Sequence, residues 1–130
     1  MDNKELEKKI VPIAEEGVIL LEKGDYEKAF EMYLKSLELN PDNLTALLGL
    51  FQTSCQMKSF AKVIDYLELY LSAHPDDCSV MFALAALYVK EEKLEQSKNI
   101  LTKILKLDFK NEDAINLLEE VERNIKCKKE

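Results

Sequence analysis

The 130-residue chain repeats itself every 34 residues, and this period constrains its fold more than any single motif does. The stretch from Leu37 to Asn43 returns at Leu71 to Asp77 and once more at Leu105 to Asn111, with Pro41 falling on Pro75 and Asp42 on Asp76. A repeat of this length corresponds to one helix-turn-helix unit. Such a unit cannot bury its apolar face alone, so copies stack into a solenoid whose output is an extended surface rather than a catalytic cleft. The expected fold is all-α: a right-handed α-solenoid of antiparallel helix pairs, about seven helices in one domain spanning residues 1–130.

Register places the helices within each repeat. Apolar residues at Ile13, Ile19, Leu20 and Leu21 end at Gly24-Asp25, and Tyr26, Ala29, Phe30, Tyr33 and Leu37 follow at spacings of three and four. Pro41-Asp42-Asn43 closes the repeat, since proline ends the preceding helix and Asp or Asn caps the next. The repeats run over residues 10–43, 44–77 and 78–111, with inner turns at Gly24-Asp25, Lys58-Ser59 and Glu91-Glu92-Lys93. A capping helix is expected over 112–126: Ala114, Ile115 and Leu118 continue the register, and Glu119, Glu120, Glu122 and Arg123 give it the polar outer face a terminal repeat needs. Residues 1–10 form a charged, helix-prone extension, and Pro12 either starts the first helix or kinks a longer one.

Charge and cysteine usage exclude several classes of function. The net charge of -7 opposes binding to nucleic acid or anionic lipid, both of which are held by clustered Lys and Arg. Cys55, Cys78 and Cys127 are odd in number and lack metal-ligand spacing, so they read as thiols in a reducing, cytoplasmic setting, with no metal and no cofactor implied. The longest apolar run, Val80 to Val89, is about half a membrane span and reads as a buried helix. The single histidine, His74, stands beside Pro75 in a turn with no nucleophile arranged around it, and no glycine-rich phosphate loop is present. No catalytic residue is assigned.

Gly17, Gly24-Asp25-Tyr26, Ala29, Tyr33, Leu37 and Pro41 in the first repeat carry a resemblance to tetratricopeptide-repeat proteins. Leu47, Leu50, Phe60, Leu71 and Pro75 continue it in the second repeat, and Leu84, Ala85, Tyr88, Leu101 and Leu105 in the third. The match covers roughly residues 11 to 126. The family's small residues at the contact between paired helices are kept as Gly17, Ala29 and Ser36, but the second repeat has Phe51, Val63 and Tyr70 there. The middle repeat is therefore where packing is expected to change.

The resemblance implies that the first helix of each repeat lines a concave groove. The corresponding residues are Val11, Ala14, Val18 and Leu21; Leu48, Gly49, Gln52 and Cys55; and Phe82, Ala83, Ala86 and Val89. Such a groove suits an apolar peptide or an amphipathic partner helix. The competing explanation is that Ala14, Gly49, Ala83 and Ala86 are small so that helices approach closely, or that residues 1–10 fill the groove. The family's co-chaperones grip the acidic tail of heat-shock chaperones with lysine, asparagine and arginine side chains; the matching residues here are Ala14, Val18, Gly49, Ser79 and Ala83. None offers a cationic or amide donor, so that partner is not expected. The expected function is a non-catalytic protein-interaction module, with a small cytoplasmic secretion-type chaperone or a self-assembling scaffold subunit as alternatives.

Overall fold

A computed structural model describes residues 12–129. Val11 and the expected extension over 1–10 lie outside the described residues. The chain forms seven described helices: α1 (Pro12–Glu22), α2 (Tyr26–Leu39), α3 (Leu44–Met57), α4 (Ala61–Ala73), α5 (Cys78–Lys90), α6 (Leu94–Leu107) and α7 (Glu112–Lys129). They are the three helix pairs and the capping helix anticipated from the period. The last helix runs three residues past the expected end at Lys126, because Ile125 still packs on the core and Lys126, Lys128 and Lys129 suit the negative end of a helix. Two compact units divide inside α4, one through Tyr66 and one from Leu67, so the boundary falls in the repeat with the large contact residues.

The turn chemistry recurs at the same period as the sequence. Asn43, Asp77 and Asn111 each accept the backbone N–H three residues on, at 3.1, 3.2 and 3.0 Å, and so start α3, α5 and α7. The inner turns form a second series. After α1, the N–H of Gly24 bonds Leu21 O and that of Asp25 bonds Leu20 O, which is a Schellman closure around a left-handed glycine at φ 79°. The equivalent left-handed positions, 34 and 68 residues later, hold Lys58 (φ 55°) and Glu92 (φ 58°). Both are non-glycine residues in a conformation that crowds Cβ.

Within the N-terminal unit the core centres on Tyr33, Leu37, Leu47 and Leu50, all fully buried. Tyr33 fits only because two helices offer glycine beneath its ring. A Cβ on Gly17 would lie 2.7 Å from Tyr33 Cε1, and one on Gly49 would lie 2.7 Å from its Oη. Gly49, read from sequence as a groove position, is thus buried, and its smallness serves the ring. The C-terminal unit builds its core from Met81, Ala85, Leu94, Leu101, Ile104, Ala114 and Val121. Ser97 donates from its hydroxyl to Ala85 O at 2.9 Å, tying α6 to α5 in the space its small side chain leaves.

Candidate protein-interaction surfaces

In the N-terminal unit, the expected groove residues separate by depth. Ala14 is 8% exposed and Gly49 is buried, whereas Val18 and Leu48 are open to solvent and Leu21 and Cys55 are half-buried. Leu48 and Gln52 share one face of α3 by their spacing of four. Leu21 and Gln52 meet across a cavity of about 360 Å³ that they line with Tyr26 and Gln56. A second cavity of about 500 Å³ adjoins it, lined by Gly24, Asp25, Tyr26, Glu27, Gln56 and Met57. Tyr26 and Gln56 were not assigned to the site from sequence. Gln56 lies one helical turn beyond Gln52, and that spacing was the available signal.

The result is a surface of mixed chemistry. Leu21 and the Tyr26 ring supply apolar area, and each glutamine amide can donate and accept at once, as a peptide backbone requires. The turn between α1 and α2 holds Tyr26 in place, since Asp25 caps α2 by accepting from the Lys28 N–H.

In the C-terminal unit, α5 is mostly core: Val80, Met81, Ala83, Leu84, Ala85 and Leu87 are buried. Phe82 and Val89 are half-buried and pack against that core, and Ala86 is half-buried. Val89 also lines a cavity of about 310 Å³ with Glu92, Leu94, Asn124, Cys127 and Lys128, so it faces the last turns of α7. Lys128 reaches Glu92 at 3.4 Å beside that cavity.

Several titratable side chains have settings defined by burial and by neighbouring side chains. Burial, followed by the negative charges of Asp108, Asp77 and Asp76, pushes the Cys78 thiol up, which disfavours the nucleophilic thiolate. Tyr88 donates its hydroxyl to Glu68 and is pushed up to about 12, by burial first and then by that bond and the carboxylate's charge. His74 stacks on Tyr70 with ring centroids 4.4 Å apart. Tyr70 in turn donates to the capping carboxylate of Asp77 at 3.2 Å. Among the described residues, no group of three or more His, Cys, Asp or Glu is placed to hold a metal ion, and no helix is long and apolar enough to cross a membrane.

Comparison with known proteins places these features in a family. Residues 20–88 match a tetratricopeptide-repeat profile, and residues 79–111 match another. Sperm-associated antigen 1 of Mus musculus is 28% identical over 103 residues, 79% of this chain but 11% of that protein. Protein PHOX3 of Arabidopsis thaliana is 29% identical over 122 residues, 89% of this chain and 15% of its own length. The chain thus spans only a small part of the curated relatives it matches. Among solved structures, the first tetratricopeptide-repeat domain of Spaghetti (RPAP3), bound to the HSP90 peptide SRMEEVD, superposes with a TM-score of 0.77 at 21% identity, covering 91% of this chain and 94% of that one. With the profile matching more than half of its length and the same helix-pair architecture in the fold, this chain belongs to the tetratricopeptide-repeat family.

Proposed function

We propose that the chain is a protein-interaction module that binds a peptide carrying an apolar anchor, and that it has no catalytic activity of its own. The observation that carries this reading is the pair of adjoining cavities in the N-terminal unit, where Leu21 and Tyr26 offer apolar surface beside the amides of Gln52 and Gln56. Burying one bulky apolar side chain contributes roughly 1.5–3 kcal/mol, so an anchor plus backbone hydrogen bonds gives modest affinity. Leu48 and Val18 extend the exposed apolar area. Cys55, Cys78 and Cys127 are thiols, which fits a reducing compartment such as the cytoplasm.

The acidic tail of a heat-shock chaperone is a poor ligand on this reading. Ala14, Gly49 and Ala83 are buried, and Val18 and Ser79 carry no cation or amide. Peptide display against the full chain, followed by binding of a selected peptide to variants, tests the proposal. Leu21→Glu and the pair Gln52→Ala with Gln56→Ala should each weaken the selected peptide at least about tenfold, the equivalent of 1.4 kcal/mol. Equal binding by wild type and both variants overturns the site. The peptide SRMEEVD should not bind measurably.

A further inference from the structure

The two cavities of the N-terminal unit share Tyr26 and Gln56 but differ in the charge of their linings. The smaller, between Leu21 and Gln52, has no charged side chain in its lining. The larger adds Asp25 and Glu27 beside Gly24 and Met57, and no lysine or arginine lines it. Glu27 is exposed, and no cation stands within 4.0 Å of it among the described residues. The half-buried Asp25 accepts the Lys28 N–H on Oδ1 at 3.4 Å, and its Oδ2 lies 3.8 Å from Lys28 Nζ. The Lys28 side chain is 70% exposed, so that ion pair is worth little and leaves the carboxylate open to a closer cation.

The surroundings have the same sign. Residues 12–66 carry nine carboxylates against five lysines, so the field of the unit is negative. Lys23, Lys28 and Lys58 adjoin the α1–α2 turn or the end of α3 in sequence, but none of them lines either cavity. Glu22 ends α1 just before that turn, and its charge is felt at the buried Tyr33 phenol. A cation entering the larger cavity therefore meets Asp25 and Glu27 before any lysine.

The fold does not impose this charge. Residues 92–95, 124 and 125 stand 68 positions after 24–27, 56 and 57, and they line the corresponding cavities of the C-terminal unit. There Lys93 replaces Asp25 without capping α6, and Lys128 and Lys129 join Glu92 and Glu95 in the lining, so lysines outnumber carboxylates. Nor does capping demand a carboxylate, because Asn43 and Asn111 start their helices with an uncharged side chain. The acidic lining thus belongs to the first repeat's surface rather than to the repeat architecture.

Shape favours a long basic side chain. Gly24 adds no side chain to a cavity of about 500 Å³, while Tyr26 and Met57 give apolar walls for a methylene stem. The Tyr26 ring face also attracts a cation. We propose that the N-terminal unit selects a net basic peptide with an arginine or lysine next to its apolar anchor, the anchor against Leu21 and the basic side chain beside Asp25 and Glu27. Arginine is preferred, since its planar guanidinium bonds two carboxylate oxygens at once. This rests on the reading of the two cavities as a peptide site and names the residues that choose its ligand.

Peptides selected by display on the full chain should carry a basic residue within two positions of the anchor. The probes are then one selected peptide and its version with the basic residue changed to glutamine, each titrated by fluorescence anisotropy. The protein variant is Asp25→Asn with Glu27→Gln, which keeps a capping side chain while removing both charges. On wild type the glutamine version should bind at least about threefold more weakly, and raised ionic strength should shrink that gap. On the neutralised variant the two peptides should bind alike. The peptide SRMEEVD has an arginine beside its methionine, but the two glutamates and aspartate that follow are opposed by the negative field of the unit. Selected peptides that depend on Leu21 but lack a basic residue near the anchor, or an equal glutamine penalty on both proteins, overturn the charge preference and leave the peptide site standing. Selected peptides that Leu21→Glu binds as well as wild type, or a display that enriches none, overturn the site and its preference together.

Discussion

The two compact units solve the same packing problem with opposite choices of residue size. In the N-terminal unit a tyrosine occupies the centre of the second helix of the pair, and glycine stands beneath it on both neighbours, Gly17 and Gly49. In the C-terminal unit the equivalent residue is Leu101, fully buried, with Ala85 in place of Gly17. Between these two units, bulk is shifted from the second helix to the first: tyrosine on glycine in one, leucine on alanine in the other. The Tyr33 choice carries a penalty the leucine avoids, because its hydroxyl is buried without a hydrogen-bond partner among the described residues.

The sharpest way to break this comparison is to truncate the ring. Tyr33→Ala should destabilise the chain by about 3–5 kcal/mol, as removal of a fully buried aromatic does. Gly49→Ala should cost about 1–3 kcal/mol through overpacking, although alanine is the better helix former. Tyr33→Leu, which copies the C-terminal unit, should suppress most of the Gly49→Ala penalty in the double variant. Urea denaturation measures all of these. Additive effects of Tyr33→Leu and Gly49→Ala would show that the ring and the glycine are not coupled, and the volume argument would fail.

This comparison also explains what was legible beforehand. The helices, their caps and their order followed from period and turn chemistry, because Pro41, Asn43, Asp77 and Gly24 act on the backbone around them. The surface was harder to read. Gly49 sits at a position the family uses for its groove, yet the residue that dictates its size, Tyr33, lies 16 positions away on another helix. Tyr26 and Gln56 are not legible as site residues for the related reason that a cavity is made by side chains from different helices, and helical periodicity reports only one helix at a time. The Val80 to Val89 run reads as a buried helix, and α5 buries six of its residues; that Phe82, Ala86, Tyr88 and Val89 stay half-buried is set by neighbouring helices that periodicity along one helix does not report.

The inner turns give a smaller contrast. A left-handed residue with a Cβ costs roughly 1–2 kcal/mol, and glycine there is offset by about 0.4–1 kcal/mol of added freedom in the unfolded chain. Lys58→Gly should therefore stabilise by about 0.5–1 kcal/mol, whereas Gly24→Ala should destabilise by about 1 kcal/mol. Glu92→Gly should gain less than Lys58→Gly, since it also removes the exposed pair with Lys128, worth at most about 1 kcal/mol. Thermal denaturation ranks the three. A lower melting temperature for Lys58→Gly would mean that strain at that turn is already relieved by its surroundings.

The smallest expected effect separates the units by pH. Tyr88 in the C-terminal unit is pushed up to about 12 from 10.0, by burial and then by donation to Glu68. Tyr33 in the N-terminal unit is also raised, by burial and then by the charge of Glu22. A raised phenol pKa means that the fold holds the proton more tightly than the unfolded chain does. The contribution is complete below pH 10 and disappears as pH rises from 10 toward 12 for Tyr88. Tyr88→Phe should therefore lower stability slightly at neutral pH, where the hydroxyl bond to Glu68 is lost, and should lose less additional stability than wild type above pH 10. Tyr33→Phe should differ in the first respect, because its hydroxyl has no partner to lose: neutral-pH stability should hold or rise, and the alkaline decline should again be shallower. Melting temperatures of wild type and both variants across this range supply the measurement. An alkaline decline equally steep in all three would place the responsible ionisation on other groups.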